Sequence, residues 1–203
     1  MGIVLLNMTV SLDGFNAGPN VSVDRPMGEG GERLHEWLFQ DGSDRGVAAG
    51  GTAPRGVDVE QAQGLAADTG AVLIGRRTFD IGVGQWNDTP FPVPTFVVTH
   101  EAREPMVMKS AAFTFVSDGL PSALAQARMA AGDKDVLVMG GADIAQQYVE
   151  AGLVDEIQLQ LVPVLLGGGT RLFGDRGTGH IELERTSVIS SPYVTHLRFR
   201  VVK

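Results

Sequence analysis

Residues 72–80 read VLIGRRTFD and residues 136–144 read VLVMGGADI. Each stretch opens with an uninterrupted apolar run, which is typical of a strand buried on both faces. Each then reaches glycine and continues in a helical pattern, so both predict a strand that turns directly into a helix. The N-terminus of a helix exposes unpaired N–H groups and the positive end of the helix dipole, which attract phosphate. Two such junctions suit a dinucleotide, whose phosphates must be held at more than one point.

The segments around these junctions alternate between strand and helix patterns. Strands are predicted at 4–10, 95–99, 113–116 and 156–161, and helices at 32–39, 120–131, 142–151 and after Asp58, which is predicted to be an N-cap. Residues 193–201 alternate apolar and polar after a Ser-Ser-Pro turn, which predicts an antiparallel C-terminal hairpin. The expected fold is α/β, with one domain over residues 1–203 and a central mixed, mostly parallel sheet flanked by helices. Residues 40–56 contain five glycines and predict a flexible insertion.

Composition excludes several classes of protein. The 203 residues include no cysteine, which excludes a disulfide framework, a cysteine nucleophile and thiolate metal sites, and no metal is expected. The net charge is −8 and no basic stretch stands out, so a nucleic-acid partner is not expected. No apolar run approaches the ~20 residues that span a bilayer, and the N-terminus has no basic leader. The prediction is a cytoplasmic protein that does not bind membranes.

Taken together, the two junctions resemble the cofactor-binding pair of dihydrofolate reductases. Three further stretches, SLDG at 11–14, AGLVDE at 151–156 and LVPVLLGGG at 161–169, are similar to one branch of that superfamily. This branch is the reductase domain of the bifunctional riboflavin-biosynthesis deaminase–reductase, with its stand-alone relatives. The resemblance implies a dihydrofolate-reductase-like fold and an NADPH-dependent oxidoreductase. Because the zinc signature of the deaminase half needs cysteines, no deaminase activity is expected.

The resemblance also implies a cofactor-binding set at the ends of predicted strands and at the starts of the helices that follow: Thr9, Val10, Gly75, Arg76, Arg77, Thr78, Thr99, His100, Gly140, Gly141, Ala142 and Ile144. In this set the two arginines and Thr78 would hold the cofactor phosphates. Thr99 and His100 would face the adenosine ribose phosphate, and Thr9 and Val10 the nicotinamide. NADPH is expected rather than NADH, since no carboxylate that could grip the ribose hydroxyls is evident near Thr99.

The sequence defines the substrate-binding and catalytic residues less clearly than the cofactor-binding residues. The candidates for substrate binding are Asp13, Asn16, Glu36 and Trp86, and those for catalysis are Asp13 and Glu36. A dihydrofolate reductase places one carboxylate on the helix after the first loop, and Glu36 occupies the helix predicted there. An exposed glutamate on a polar helix face is the simpler interpretation. Trp86 is expected in a loop, where it either packs beneath the loop or lines the substrate pocket.

The leading hypothesis is therefore an NADPH-dependent reductase of a small heterocyclic substrate, similar to the reductase of the riboflavin precursor 5-amino-6-(5-phosphoribosylamino)uracil. A pterin or dihydrofolate reductase is one alternative, and a non-catalytic nucleotide- or flavin-binding module is another. A homodimer is also expected, because the apolar run at 162–166 offers more surface than one sheet face needs. The alternative for this run is that it fills the core.

Overall fold

The computed structural model describes residues 2–39, 56–174 and 179–203. Of the insertion predicted at 40–56, all but Gly56 lies outside these residues. The strands are β1 (Val4–Ser11), β2 (Phe15–Ala17), β3 (Thr69–Gly75), β4 (Thr95–Val98), β5 (Met106–Val107), β6 (Ala112–Val116), β7 (Asp135–Gly140), β8 (Glu156–Val162), β9 (Thr170–Arg171), β10 (Leu183–Ser190) and β11 (Thr195–Val201). The α-helices are α1 (Val57–Asp68), α2 (Arg76–Trp86), α3 (Leu120–Ala131) and α4 (Ala142–Glu150).

Within these ranges one large sheet organises the chain. Its strand order is β10-β11-β8-β1-β7-β3-β4-β6-β5, and β2 pairs with β9 in a separate small ribbon. The strands from β8 to β6 run parallel. Toward the two ends of the sheet the pairing is antiparallel, between β5 and β6, between β10 and β11, and between β11 and β8. This architecture confirms the predicted mixed, mostly parallel sheet with an antiparallel C-terminal hairpin.

Apolar side chains cover both faces of the parallel strands. On one face, Leu6 of β1 and Leu73 of β3 share a core with α3 and α4. On the other face, Leu5 and Val72 share a core with side chains of α1 and α2. Successive strand residues point to opposite faces, so an unbroken apolar run is required wherever helices cover both sides. This is why the apolar runs at 72–74 and 136–139 form the central strands β3 and β7.

Helix α3 shows how local signals set the limits of an element. Pro121 lies in its first turn, where a missing N–H costs nothing, and Gly132 ends it with a φ of 62°. The predicted bounds 120–131 are confirmed. The predicted helix at 32–39 is wrong, because the chain forms two 3₁₀ turns, Gly31–Leu34 and Glu36–Leu38. His35 separates them with a φ of −115°, which breaks the helical hydrogen-bond ladder.

Two other expectations need correction. Asp58 is not the N-cap of α1, because Gly56 takes that position and the Asp58 carboxylate turns into the interior. In the apolar run at 162–166, Val162 is buried, and Val164 and Leu166 pack in the cluster that contains Trp37. Pro163 and Leu165 are exposed. The run therefore contributes to the core, as the alternative interpretation predicted.

No helix within the described ranges is long and apolar enough to cross a membrane.

Candidate functional site

The two strand-to-helix junctions lie side by side at one edge of the sheet. In the register of β3 and β7, Ile74 is the partner of Gly140, so the two glycine turns end their strands at the same level. The carboxyl ends of β1 and β4 point to this edge as well, because these strands run parallel to β3 and β7. In open α/β sheets, ligands bind in the crevice outside the carboxyl ends of the strands.

A hydrogen bond joins the two junctions. The backbone N–H of Gly141 donates to Oγ1 of Thr78 over 2.6 Å. As an acceptor in this bond, the Thr78 hydroxyl keeps its own hydrogen for a further partner. Gly75 and Gly141 are the N-caps of α2 and α4, and neither helix has a side-chain cap within the described chain. Both helix N-termini therefore keep backbone donors for an anion.

Charged side chains surround the start of α2. Arg76 and Arg77 are both exposed. Arg76 pairs with Asp80 at 2.8 Å, and Arg103 pairs with Asp80 at 3.3 Å and with Glu101 at 3.0 Å. The hydrogen bond and charge of Arg103, with the charge of Arg76, lower the pKa of Glu101. Sequence reasoning missed Arg103 because no motif marks it.

The end of β4 differs from expectation. Thr99 is buried, and its Oγ1 accepts a hydrogen bond from the N–H of Glu101 over 3.1 Å, so the hydroxyl holds the turn. His100 is exposed. A carboxylate does stand near Thr99, since Glu101 is two residues away, and it pairs with Arg103. The preference for NADPH over NADH stays a prediction, which rests on Arg76, Arg77 and Thr78 at the start of α2.

The carboxyl half of β1 continues beyond its neighbour β7. β1 pairs with β7 only over Val4–Leu6, whereas it pairs with β8 as far as Ser11. Gly140 comes close to β1 at Met8, since a Cβ on Gly140 would lie 2.8 Å from Met8 Sδ. Thr9 and Val10 follow, where β1 has lost its partner on that side. Val10 points into the core with α3 and α4, and Thr9 points to the face that α1 covers.

On that second face a row of buried polar side chains crosses three strands. The sheet register pairs Thr9 with Gln160 and Gln160 with His196. Nε2 of His196 lies 2.9 Å from Oδ1 of Asp58, in the first turn of α1. Thr9, Gln160, His196 and Asp58 are all less than 10% exposed, with values of 9%, 3%, 3% and 8%. Sequence reasoning noted His196 only as a polar position of a strand and missed the row.

A sequence model of the RibD C-terminal domain matches residues 3–195. The chain belongs to this family. It is also similar to YyaP of Bacillus subtilis (strain 168), an uncharacterized protein, with 25% identity over 181 residues that cover 85% of this chain and 80% of YyaP. The family match confirms the predicted resemblance.

Solved structures place this RibD C-terminal domain among dihydrofolate-reductase-like folds. A putative riboflavin biosynthesis protein from Shewanella sp. PV-4 superposes with a TM-score of 0.70 and 21% identity, covering 99% of each chain. Dihydrofolate reductase from Enterococcus faecalis, complexed with NADP(H), gives 0.59 and 13% identity over 100% of this chain and 98% of the other. RibD from Acinetobacter baumannii gives 0.66 and 19% identity, and this chain spans 59% of it. At these identities the likeness establishes the fold.

The family fold brings most of the predicted cofactor set to the two junctions, where the side chains of Ile144 and Ala142 serve packing, as that of Val10 does in β1. Ile144 is 5% exposed and belongs to the core, where its Cβ would lie 3.5 Å from a Cβ on Gly75. Its side chain supports the junction from beneath and offers no surface to a ligand. The side chain of Ala142 is also buried, so this residue contributes its backbone at the start of α4.

Asp13 is not placed as a proton donor. Its carboxylate accepts hydrogen bonds from the Ser11 hydroxyl at 2.6 Å and from the N–H groups of Leu166 at 3.1 Å and Gly167 at 2.8 Å. The Ser11 hydroxyl, followed by the backbone donors, lowers the pKa of Asp13 to about 2. A carboxylate so bonded stays ionised at neutral pH. Asp13 therefore ties the turn after β1 to the loop after β8.

The other substrate candidates are spread over the molecule. Asn16 lies in β2 beside β1, and its Oδ1 is buried without a partner among the described residues. Glu36 is 43% exposed and pairs with Arg33, so it is a surface carboxylate. Trp86 ends α2, about 15 Å along the helix from Arg76, and stacks on Phe113 with ring centroids 6.3 Å apart. The loop expected around Trp86 is wrong, and this side chain packs against the core and not beside the junctions.

Two clefts on the described surface lie away from the junctions. One of about 210 Å³ lies between α1 and the amino ends of β3 and β7, with Thr69 and Asp135 in its wall. It opens at the sheet edge opposite to the glycine turns. The other, of about 140 Å³, is lined by Trp37, Asp58 and Tyr193 and borders the buried polar row. Neither of these two clefts includes a residue of the two glycine turns.

Proposed function

We propose that this chain is an NADPH-dependent reductase of a small planar heterocycle, of the kind represented by the riboflavin precursor 5-amino-6-(5-phosphoribosylamino)uracil. The observation that carries the proposal is the 2.6 Å hydrogen bond from Gly141 to Thr78. It holds two helix N-termini together at the carboxyl edge of the sheet, in a member of a reductase-domain family. A ligand with two separated anionic groups matches this arrangement.

The residues at the junctions fit a nicotinamide dinucleotide. The uncapped starts of α2 and α4 would hold its pyrophosphate, with Arg76 and Arg77 as charge-assisted donors. Arg103 and His100, at the end of β4, would meet the ribose phosphate. A Cβ on Gly141 would come within 3.3 Å of Thr78 Oγ1, so glycine keeps the backbone open to close approach. When bound, the cofactor supplies a hydride, and the protein orients it against the substrate.

The substrate would lie where β1 extends beyond its pairing with β7, between Thr9 and the turn that the hydrogen bonds of Asp13 hold in place. Thr9 is a buried polar residue of β1, and the buried Oδ1 of Asn16 in β2 has no partner among the described residues. The Ser11–Asp13 hydrogen bond and the two backbone bonds to Asp13 keep the turn in one position. A fixed wall of this kind orients a planar ring, and orientation supplies a large part of the rate in hydride transfer.

A steady-state assay of NADPH oxidation tests the proposal. The assay compares the ribosylaminopyrimidine with dihydropterin and dihydrofolate, and NADPH and NADH are titrated in parallel by fluorescence. Oxidation with the pyrimidine and tighter binding of NADPH are the expected results. Oxidation only with a pterin or dihydrofolate would replace the substrate assignment by that alternative. Cofactor binding with no oxidation by any of these compounds would identify a non-catalytic binding module and overturn the proposal.

A further inference from the structure

The cleft of about 210 Å³ at the amino ends of β3 and β7 runs along one side of α1. Glu60, Gly64 and Asp68 line it at four-residue spacing, so they form one stripe of the helix. From its first to its last residue this stripe is about 12 Å long. Gly64 leaves the middle of the stripe without a side chain, and a Cβ placed there would meet nothing within 4 Å. The cleft is therefore an open groove along the helix, called the α1 groove below.

Negative charge dominates the α1 groove. Three carboxylates line it, those of Glu60, Asp68 and Asp135. The one guanidinium among its described lining residues is that of Arg198, whose Nε donates to Glu156 over 2.6 Å. Neither Glu60 nor Asp68 has a hydrogen-bond or ion-pair partner in the part of the chain that the structure describes. The groove thus carries a negative charge that its own lining does not neutralise.

The C-terminus of α1 adds to this negative charge. Asp68 is the last residue of the helix, and the last turn carries no basic residue. A carboxylate at this end lies beside the negative end of the helix dipole, and a cation bound there relieves the repulsion. Lys134 approaches the turn, but it donates to the carbonyl of Ala67 over 2.8 Å and is not part of the groove lining. The end of α1 therefore favours a cationic ligand in the groove.

A buried amide without a partner opens onto the same groove. Gln158 of β8 is only 6% exposed, and it lines the groove. Its side chain makes no hydrogen bond with any residue that the structure describes. Buried polar groups almost always have a partner in folded proteins, so this amide indicates a ligand. Its Oε1 accepts hydrogen bonds, as the carboxylates around it do, and a ligand rich in N–H donors satisfies all of them.

We propose that the α1 groove binds an aliphatic polyamine, that is, an extended alkyl chain that carries several ammonium groups. One ammonium group lies between Asp68 and Asp135 at the end of α1. The alkyl chain follows the apolar floor beside Leu137, and a second ammonium group donates to Glu60 and to Oε1 of Gln158. The inference is independent of the proposed function, because the groove opens at the edge of the sheet opposite to the glycine turns.

Calorimetric titration with spermidine tests the inference. The unmodified chain should bind spermidine at least about tenfold more tightly than butylamine, which carries a single ammonium group. Asp68→Asn should reduce spermidine affinity by about tenfold, the usual loss for one charge-assisted hydrogen bond. Glu150→Gln is the matched control, because Glu150 is also an exposed carboxylate at the last residue of a helix and lies outside the groove. It should leave the affinity unchanged.

Two further variants test the groove itself. Gly64→Met places a side chain in the middle of the groove and should abolish spermidine binding. Because methionine is a better helix former than glycine, this variant should also raise the midpoint of thermal unfolding, which separates occlusion from loss of the fold. Gln158→Leu removes the amide at similar volume and should weaken spermidine several-fold without lowering the midpoint, since no hydrogen bond within the described chain is lost.

Three results would each overturn the inference. The first is equal affinity for spermidine and butylamine, and the second is a Gly64→Met variant that binds spermidine as the unmodified chain does. The third is an equal loss of affinity in Asp68→Asn and Glu150→Gln, which would assign binding to the net charge of −8 of the whole chain. The assay of NADPH oxidation reports on the opposite edge of the sheet, so its outcome leaves these results unaffected.

Discussion

Thr78 and Gly141, 63 residues apart in the sequence, are joined by a hydrogen bond of 2.6 Å from the glycine N–H to the threonine hydroxyl. This bond is the direct connection between the turn that opens α2 and the turn that opens α4. A dinucleotide that spans both turns needs them at a fixed separation. The geometry of the site therefore depends on a side chain that sequence reasoning assigned only to phosphate binding.

Thr78→Val should weaken NADPH binding by about tenfold while the chain stays folded. Valine has the shape of threonine but leaves the Gly141 N–H without its partner, which costs on the order of 1 kcal/mol or more. Thr89→Val is the matched control, because the buried Thr89 hydroxyl has no partner among the described residues. Fluorescence titration measures both affinities. If the two variants bind NADPH equally well, the bond between the junctions has no part in cofactor binding.

Arg76→Ala should reduce NADPH affinity by about ten- to a hundredfold, the usual loss for a charge-assisted contact to phosphate. Arg76 is 47% exposed and its present partner is the carboxylate of Asp80, so its removal leaves no buried charge behind. Arg200→Ala removes an arginine of the C-terminal hairpin that is 58% exposed and also paired with a carboxylate, and it should leave NADPH affinity unchanged. Titrations at two salt concentrations check the assignment, since the difference between the variants should shrink at high salt.

The two glycines of the second turn should respond differently to substitution. Gly140 has a φ of 109°, and a Cβ there would lie 2.8 Å from Met8 Sδ, so Gly140→Ala should destabilise the chain by about 1–3 kcal/mol. Gly141 has a φ of −69°, which any residue adopts, and Gly141→Ala should mainly impair NADPH binding. Thermal unfolding and NADPH titration separate the two effects. A Gly140→Ala variant as stable as the parent would contradict this account.

The fold was predictable because its signals are local. The buried strands β3 and β7 appear as unbroken apolar runs, and glycine marks where each ends. The 3₁₀ turns around His35 were not predictable in this way, since Leu34 and Trp37 follow helical spacing although the backbone between them leaves the helical region. Periodicity reports which side chains are buried, and it does not fix the hydrogen-bond pattern of a short segment.

The candidate site was predictable only in its backbone part. Glycine turns and arginines after a strand carry their own physical signal, so the junctions could be located. The pair of Asp58 and His196 could not, because its members are 138 residues apart and each has a plain local explanation. Asp58 looked like a helix cap, and His196 looked like the outward position of a strand. Only the register of β1, β8 and β11 brings the row together.

Asp13→Asn should lower stability at neutral pH, and the deficit should disappear in acid. The hydrogen bond from Ser11, with those from the backbone, lowers the pKa of Asp13 from 3.8 to about 2. A lowered folded-state pKa stabilises the fold above the unfolded value, and this contribution is lost as the pH falls from 3.8 toward 2. Unfolding midpoints across this range measure the effect. Asp24→Asn, which changes an exposed carboxylate of the next loop, is the control.

The homodimer stays a prediction, but its basis moves from the buried run at 162–166 to strand β10. β10 lies at the edge of the sheet, and Leu183 and Val188 on its apolar face are 42% and 49% exposed. A second copy placed on this face would cover them, and light scattering should then give twice the 21.5 kDa of one chain. Val188→Glu should reduce the mass to that of one chain. Val107→Glu, at the 81% exposed valine of the opposite edge strand β5, should leave the dimer intact. A single-chain mass for the unmodified protein at micromolar concentration would contradict the prediction.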